Sequence, residues 1–214
     1  MDDPFARERI QAAYDLAADD YCEAFGDDLA RLPLDCRMLD RLQDAASGRV
    51  ILDIGCGTGS AGSYLFDRQA HVLGMDLSLG MLSSGRRGSL RFSVCQGDMR
   101  QLPFHDHSFG AAVAYYSIHN VVRRELQLVL DEVARVLEPR GTMLLATHLG
   151  EGEVFTETFL GHDIATTGGT LYSEQQVIAA VTLHGFKVEM SAIRDALAHE
   201  HASRRIYLLA THLG

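Results

Sequence analysis

The residues with the clearest chemistry lie in a short apolar run and the glycine-rich turn after it, residues 52–59 with the sequence LDIGCGTG. Glycine has no Cβ atom, so the backbone can turn sharply there and approach a ligand closely. Asp76 ends a second apolar run about twenty residues later, where a carboxylate meets ribose hydroxyls in nucleotide-binding α/β folds. The pattern predicts a site for a nucleoside.

Two kinds of nucleoside ligand compete for this site. Gly57, Gly59 and Gly62 satisfy the dinucleotide pattern GxGxxG, which is weak when it stands alone. Asp53 precedes the turn directly, at the point where a pyrophosphate needs positive potential from backbone N–H groups. A carboxylate there repels phosphates and attracts a ligand that carries an ammonium and a sulfonium. The sequence therefore favours a cationic nucleoside over NAD.

Five segments resemble, in order and spacing, the motifs of class I S-adenosylmethionine-dependent methyltransferases. They are residues 52–59, residues 74–78 with Met81, residues 96–104, residues 108–113 and residues 132–141. The resemblance implies an α/β, Rossmann-like, seven-stranded and mostly parallel sheet with helices on both faces, an antiparallel last strand and an N-terminal helical lid. It also implies S-adenosylmethionine as the cofactor and S-adenosylhomocysteine as the product, with no metal.

The resemblance assigns a role to each of a set of cofactor-binding residues. Around the methionine end it places Gly55, Cys56, Gly57 and Gly59, with Asp53 near the ammonium. It places Asp76 at the ribose. At the adenine it places Leu77 and Met81 on the ring, and Asp98 with the Met99 backbone at the amino group. Tyr115, at the end of the fourth strand, is a further candidate contact to the cofactor.

Methyl transfer depends chiefly on alignment of the two reactants, and a base is needed only where the acceptor must lose a proton. His119, in the loop after the fourth strand, is the best candidate base, although it could equally cap the next helix or order the loop. Tyr116, His119 and His148 are the candidate substrate contacts, because they stand at or beyond strand ends. For His148 a purely structural role is at least as plausible.

The chain divides into a helical cap (residues 1–47), a cofactor-binding core (48–147), a lid insertion (148–172) and a C-terminal helix with a strand pair (173–214). Tyr14 and Tyr21 are seven residues apart in the cap, so they share a helical face and can cover the cofactor, although ordinary helix packing explains them nearly as well. The lid insertion carries several acids and no Lys or Arg, which favours a neutral or cationic acceptor.

Hydrophobic periodicity predicts the elements in outline. Helices are expected over residues 5–25, 29–46, 79–87, 121–137 and 174–184, and strands over residues 49–54, 71–75, 90–95, 109–117, 142–148, 187–193 and 205–212. Residues 149–172, rich in Gly and Thr, are expected to be irregular. The tract AHEH at residues 198–201 is interpreted as a surface turn, because its two histidines lack other metal ligands nearby.

Composition limits the partners. With 29 acidic against 19 basic residues the formal charge is -10, which argues against nucleic acid and anionic membranes as partners. The four cysteines lack metal-binding spacing, and no signal peptide is evident, so a cytoplasmic monomer or homodimer acting on a small molecule is expected. Two alternatives stay open: an S-adenosylmethionine-binding enzyme that catalyses a cyclisation or rearrangement, and a non-catalytic binding module.

Overall fold

The computed structural model describes residues 3–26, 28–88, 90–198 and 200–214. Nine strands and six α-helices alternate along this part of the chain. The helices are α1 (Arg7–Phe25), α2 (Pro33–Ala46), α3 (Ser60–Asp67), α4 (Leu79–Arg87), α5 (Leu126–Val136) and α6 (Glu174–Leu183). The strands are β1 (Ile51–Ile54), β2 (Val72–Asp76), β3 (Ser93–Gln96), β4 (Phe109–Tyr115), β5 (Leu137–Leu149), β6 (Glu153–Phe159), β7 (His162–Thr170), β8 (Phe186–Arg194) and β9 (Arg204–His212).

Seven of these strands form one sheet in the order β3-β2-β1-β4-β5-β9-β8. The ladders from β3 through β5 are parallel, while β9 runs antiparallel to both of its neighbours. The predicted seven-stranded, mostly parallel sheet with an antiparallel last strand is therefore confirmed. Strand order reverses between β1 and β4, and ligands of open α/β sheets bind beyond the carboxyl ends of the strands at such a reversal.

The sheet is covered on both faces, as predicted. On one face α5 and α6 bury apolar side chains such as Leu130 and Val177. On the other face α2 and α3 bury side chains such as Leu39 and Leu65. The central strands β1 and β4 are buried almost throughout, which is why their sequences read as continuous apolar runs.

The segment expected to be irregular is in fact a β-hairpin. β6 and β7 pair antiparallel as a separate two-stranded sheet, with a register shift between Thr156 and Thr158. Almost every residue of β6 is exposed, so the strand lacks the buried alternation by which strands are recognised in a sequence. The hairpin lies outside the main sheet.

Several boundaries also differ from the prediction. The helix expected from residue 121 begins at Leu126, because residues 123–125 form a short 3-10 turn. The strand expected over residues 90–95 is Ser93–Gln96. β5 already begins at Leu137 rather than after Gly141, and pairs with β4 across an irregularity between Phe109 and Ala111.

The N-terminal helices lie against the sheet and the hairpin. Asp15 of α1 accepts hydrogen bonds from the Ser78 hydroxyl (2.5 Å) and the Gly80 N–H (2.7 Å) at the start of α4. The Gly168 N–H of β7 donates to the Pro4 carbonyl (2.9 Å), just before α1. α1 and the hairpin thus form one continuous cover. Among the described helices none is both long and apolar enough to cross a membrane.

Candidate functional site

A cavity of about 560 Å³ opens at the carboxyl ends of β1 and β4, as the topology requires. Its walls come from the turn after β1, the end of β2, the loop after β4, α1 and the β6–β7 hairpin. This volume lies within the range of small-molecule and cofactor sites.

The turn after β1 depends on glycine. Gly55, Gly57 and Gly59 have φ values of 67°, 56° and 96°, in the left-handed region that residues with a Cβ atom rarely adopt. A Cβ atom on Gly55 would lie 2.4 Å from the Cβ of Ser117, whose hydroxyl donates to the Ile54 carbonyl (2.7 Å). Gly55, Cys56 and Gly57 line the cavity, whereas Gly59 is buried against Leu90 and does not reach it.

Asp53 is the most unusual group of the site. The residue is only 1% exposed, and neither carboxylate oxygen has a partner in full hydrogen-bond geometry, although the Gly62 backbone N–H lies close enough to lower the pKa of Asp53 in part. Burial raises its pKa from 3.8 to about 7. A buried carboxylate without a partner is costly to the protein unless a ligand supplies the missing donors or positive charge.

Asp76 is held in place by two backbone donors. One carboxylate oxygen accepts from the Gly57 N–H (2.7 Å) and the other from the Ser78 N–H (2.8 Å). Burial raises its pKa as well, partly offset by these bonds. Each oxygen keeps a lone pair for a ligand hydroxyl, so the carboxylate is positioned and still able to accept.

The predicted adenine contacts line the same cavity. Leu77, Met81 and Met99 contribute apolar surface, and the terminal methyl of Met81 lies 3.2 Å from where a Cβ on Gly57 would stand. Asp98 also lies in the wall, but Arg100 binds its carboxylate through Nε (3.0 Å) and an η nitrogen (2.9 Å). This ion pair lowers the pKa of Asp98 despite desolvation by partial burial, the largest single influence. Nothing in the sequence pointed to Arg100 as the ion-pair partner of Asp98.

Tyr14 and Tyr21 of α1 lie in the cavity wall, within a cluster of aromatic rings. Phe159 of the hairpin contacts both, with ring centroids 5.0 Å from Tyr14 and 6.3 Å from Tyr21. Phe25 stacks on Tyr21 at 4.8 Å. Phe25 and Phe159 also line the cavity and were missed, because isolated aromatic residues in the sequence give no sign of a shared location.

The loop after β4 brings Tyr115, Tyr116 and His119 to the cavity. Tyr116 has a φ of 54°, a strained value for a residue with a large side chain, and such strain is common at functional sites. The Nδ1 atom of His119 is buried without a hydrogen-bond partner, and burial lowers its pKa. A contact with the Tyr116 backbone offsets part of this lowering, and the imidazole is neutral at neutral pH.

The His148 ring lies next to the His119 ring in the cavity wall, and the two ring centroids are 5.7 Å apart. Its Nδ1 bonds to the Ser203 hydroxyl (2.7 Å), and burial lowers its pKa to about 3. His201 lies beyond it at 6.1 Å, so the tract at residues 198–201, interpreted as a surface turn, contributes Glu200 and His201 to the cavity wall. His199 of the same tract lies outside the described residues.

A buried polar network lies behind Tyr115 and Tyr116. Asp35 of α2 is fully buried and accepts from the Tyr115 hydroxyl (2.6 Å), the Tyr207 hydroxyl (2.7 Å) and Arg194 Nε (3.2 Å). Arg194 also binds Glu200 through both η nitrogens, at 2.5 and 2.7 Å. The network joins the helical cap to the C-terminal strand pair. It could not be predicted, because its members are far apart in the chain.

All predicted cofactor and substrate residues except Gly59 thus converge on one cavity. Among the described residues no group of three or more His, Cys, Asp or Glu side chains is arranged to hold a metal ion.

Comparison with known families gives a match over residues 51–141 to a family described as a methyltransferase domain. The chain is 34% identical over 110 residues to the demethylmenaquinone methyltransferase of Paenarthrobacter aurescens, which covers 51% of this chain and 43% of that protein. It is 35% identical over 111 residues to the probable tRNA methyltransferase 9B of Mus musculus, covering 51% of this chain and 24% of that protein. The chain therefore spans less than half the length of these relatives.

Solved structures extend the likeness to the whole fold. The 1,6-didemethyltoxoflavin-N1-methyltransferase of Burkholderia thailandensis superposes with a TM-score of 0.72 at 15% identity, covering 97% of this chain and 88% of that one; it contains its substrate and S-adenosylhomocysteine. The (4+2)-cyclase SpnF superposes with a TM-score of 0.71 at 18% identity over 96% of each chain. At these identities the likeness establishes the fold alone.

Proposed function

We propose that this protein, whose residues 51–141 match a family described as a methyltransferase domain, is a class I enzyme that binds S-adenosylmethionine and transfers its methyl group to an uncharged small molecule. The observation that carries the proposal is Asp53, a buried carboxylate without a partner at the tip of β1. An ammonium is the ligand group that satisfies such a carboxylate.

The other residues of the cavity suit the rest of the same cofactor. Asp76, fixed by two backbone N–H groups, can accept from both ribose hydroxyls. Leu77, Met81 and Met99 offer apolar contacts to an adenine. Asp98 lies in the same wall, but its carboxylate already accepts four hydrogen bonds from Arg100, so an adenine amino group would have to compete for it. Tyr14 and Tyr21 cover the cofactor from α1, and Cys56 lies beside the methionine end.

When bound, the cofactor supplies an electrophilic methyl group on a sulfonium, which leaves as a neutral thioether. The chain's part is to hold the acceptor in line with that methyl group and to exclude water, since alignment provides most of the acceleration. Tyr115, through its bond to Asp35, fixes the start of the loop after β4.

We assign His119 as the general base for an acceptor that must lose a proton. Burial lowers its pKa, so the imidazole is already neutral below its ordinary pKa of about 6.5 and can accept a proton throughout the physiological range. Tyr116 and His148 adjoin it, with their rings 5.1 Å apart, and would contact the acceptor beside it. The demethylmenaquinone relative supports a small-molecule acceptor, whereas the tRNA relative points to nucleic acid.

The surface charge favours the small molecule, because a formal charge of -10 opposes binding of polyanionic RNA.

The test of the proposed function has two steps. Isothermal titration should detect S-adenosylhomocysteine binding to the wild-type protein and a loss of about tenfold or more in Asp76→Asn, which weakens acceptance from the ribose hydroxyls. The protein is then incubated with methyl-labelled S-adenosylmethionine and cell extract, and the labelled small molecules are separated from the labelled RNA.

Label in RNA, or no binding of S-adenosylhomocysteine, contradicts the proposal. Mass spectrometry of the product distinguishes the cyclase alternative, because methyl transfer adds one methylene to the acceptor while a rearrangement leaves its mass unchanged.

A further inference from the structure

A distinct part of the cavity lies beyond the loop after β4. It is bounded by Tyr116, His119, His148 and His201 and is covered by β7 at Gly169; we refer to it as the acceptor chamber. Neighbouring rings are in contact along its wall, with centroid distances of 5.1 Å from Tyr116 to His148 and 6.1 Å from His148 to His201. Flat aromatic and imidazole faces of this kind favour a flat ligand.

The chamber wall carries no net charge from its known ionic groups. Glu200 and Arg205 both line the cavity and pair with each other at 3.5 Å. Arg194 behind them pairs with Glu200 and with the buried Asp35, so the two acids and the two arginines cancel. Arg205 is 3% exposed and donates to the His201 carbonyl (2.9 Å) and to the Ser203 carbonyl. His119 and His148 are neutral because burial lowers both pKa values. An uncharged ligand suits these surroundings better than an ion.

Two successive glycines mark the place where β7 crosses the chamber. The space beside Gly168 is filled by the ring of Phe5, which would lie 2.4 Å from a Cβ atom there. Beside Gly169, the atoms of the described residues that would lie within 4 Å of a Cβ are Val154 Cγ2 at 3.1 Å and His119 Cδ2 at 3.8 Å. The Cβ position of Gly169 thus lies directly next to the proposed base, with Val154 already tight against it, so a side chain there would intrude on the chamber beside the imidazole.

We propose that Gly169 is the specificity-determining residue of the acceptor chamber, and that the acceptor is an uncharged aryl molecule whose hydroxyl bonds to His119 while its ring system extends over Gly169. This inference rests on the proposed function and specifies the substrate class of the same site. Because a side chain at position 169 would occupy the space beside the imidazole, it would weaken the binding of large ring systems more than that of small ones.

The test measures binding of two named probes, phenol and 1-naphthol, to the protein saturated with S-adenosylhomocysteine. Wild type should bind 1-naphthol more tightly than phenol. Gly169→Val should weaken the binding of 1-naphthol about tenfold or more through overpacking. It should change the affinity for phenol by less than about threefold. Ala165→Val is the matched control: it lies four residues earlier on the same strand and is exposed, away from the cavity wall. It should change neither affinity.

Circular dichroism and thermal unfolding check that each variant folds. If Gly169→Val does not, Gly169→Ala combined with Val154→Ala introduces the side chain and removes its 3.1 Å neighbour. The inference is overturned if the wild-type complex with S-adenosylhomocysteine binds neither probe, or if the folded variants bind 1-naphthol as wild type does; the proposed function then still stands. Absence of S-adenosylhomocysteine binding to wild type would instead refute the proposed function itself.

Discussion

The Tyr115 hydroxyl donates to the Asp35 carboxylate across 2.6 Å, joining the end of β4 to the second helix of the cap. Tyr207 of β9 donates to the same oxygen at 2.7 Å, and Arg194 of β8 reaches the other at 3.2 Å. One fully buried carboxylate therefore holds three parts of the chain together beside the cavity. Removal of Asp35 leaves the Tyr115 hydroxyl buried without its acceptor and takes one partner each from Arg194 and Tyr207, which stay bonded to other members of the network.

We predict that Asp35→Ala lowers the free energy of unfolding by roughly 3 kcal/mol, because Arg194 and two tyrosine hydroxyls lose their common partner. Urea unfolding followed by circular dichroism measures the change. Asp44→Ala, at an exposed position of the same helix, is the control and should alter the stability by less than about 0.5 kcal/mol. Equal effects of the two substitutions would show that the network contributes little.

Asp53→Asn should stabilise the ligand-free protein at neutral pH while abolishing its affinity for S-adenosylhomocysteine. The pKa of Asp53 is raised from 3.8 to about 7, so ionisation favours the unfolded chain, and this penalty grows as the pH rises from about 4 to about 7. The melting temperature of the variant should exceed that of wild type by a few degrees at pH 7.5, and the gap should shrink toward pH 4. A gap independent of pH would rule out Asp53 ionisation as its cause.

His119→Ala should reduce kcat by a factor of about 10² or more on an acceptor that loses a proton, since a positioned base contributes about that much. The affinity for S-adenosylhomocysteine should not change. Because burial lowers the pKa of His119, the wild-type rate should begin to fall only below pH 6.5, the ordinary histidine value, as the imidazole becomes protonated. An unaltered kcat, or a fall that begins well above pH 6.5, would exclude the base assignment.

Tyr21→Ala should weaken S-adenosylhomocysteine binding about tenfold, whereas Tyr21→Phe should leave it nearly unchanged. The expectation follows from the ring contacts of Tyr21 with Phe25 (4.8 Å) and Tyr14 (6.2 Å), which the phenylalanine variant keeps. Calorimetric titration of both variants gives the comparison. A loss of affinity in Tyr21→Phe would assign the role to the hydroxyl instead.

The core of the fold and the cofactor end of the site were predictable because they depend on local sequence. The run at residues 52–59 specifies a buried strand and a tight turn within a few residues, and Asp76 follows at a fixed spacing. Gly59 shows the limit of that argument: it belongs to the motif, yet its left-handed backbone serves packing against Leu90 rather than the cavity.

The acceptor end was predicted only in part, because its residues come together through tertiary contacts. His119 and His148 could be suspected from their positions at strand ends, but Asp35 and Arg194 are 159 positions apart and neither lies in a motif. The β6–β7 hairpin escaped prediction because its first strand is exposed along almost its whole length, which leaves no apolar alternation to detect.

The backbone bond between Gly168 and Pro4 has a consequence for ligand exchange. α1 covers the end of the cavity assigned to the cofactor and β7 covers the end assigned to the acceptor, so a bond between β7 and the residues just before α1 couples the movements of the two halves of the roof. S-adenosylhomocysteine and the methylated product should accordingly leave during the same opening of the roof. The rate of that opening would then set an upper limit on kcat, whatever the rate of methyl transfer.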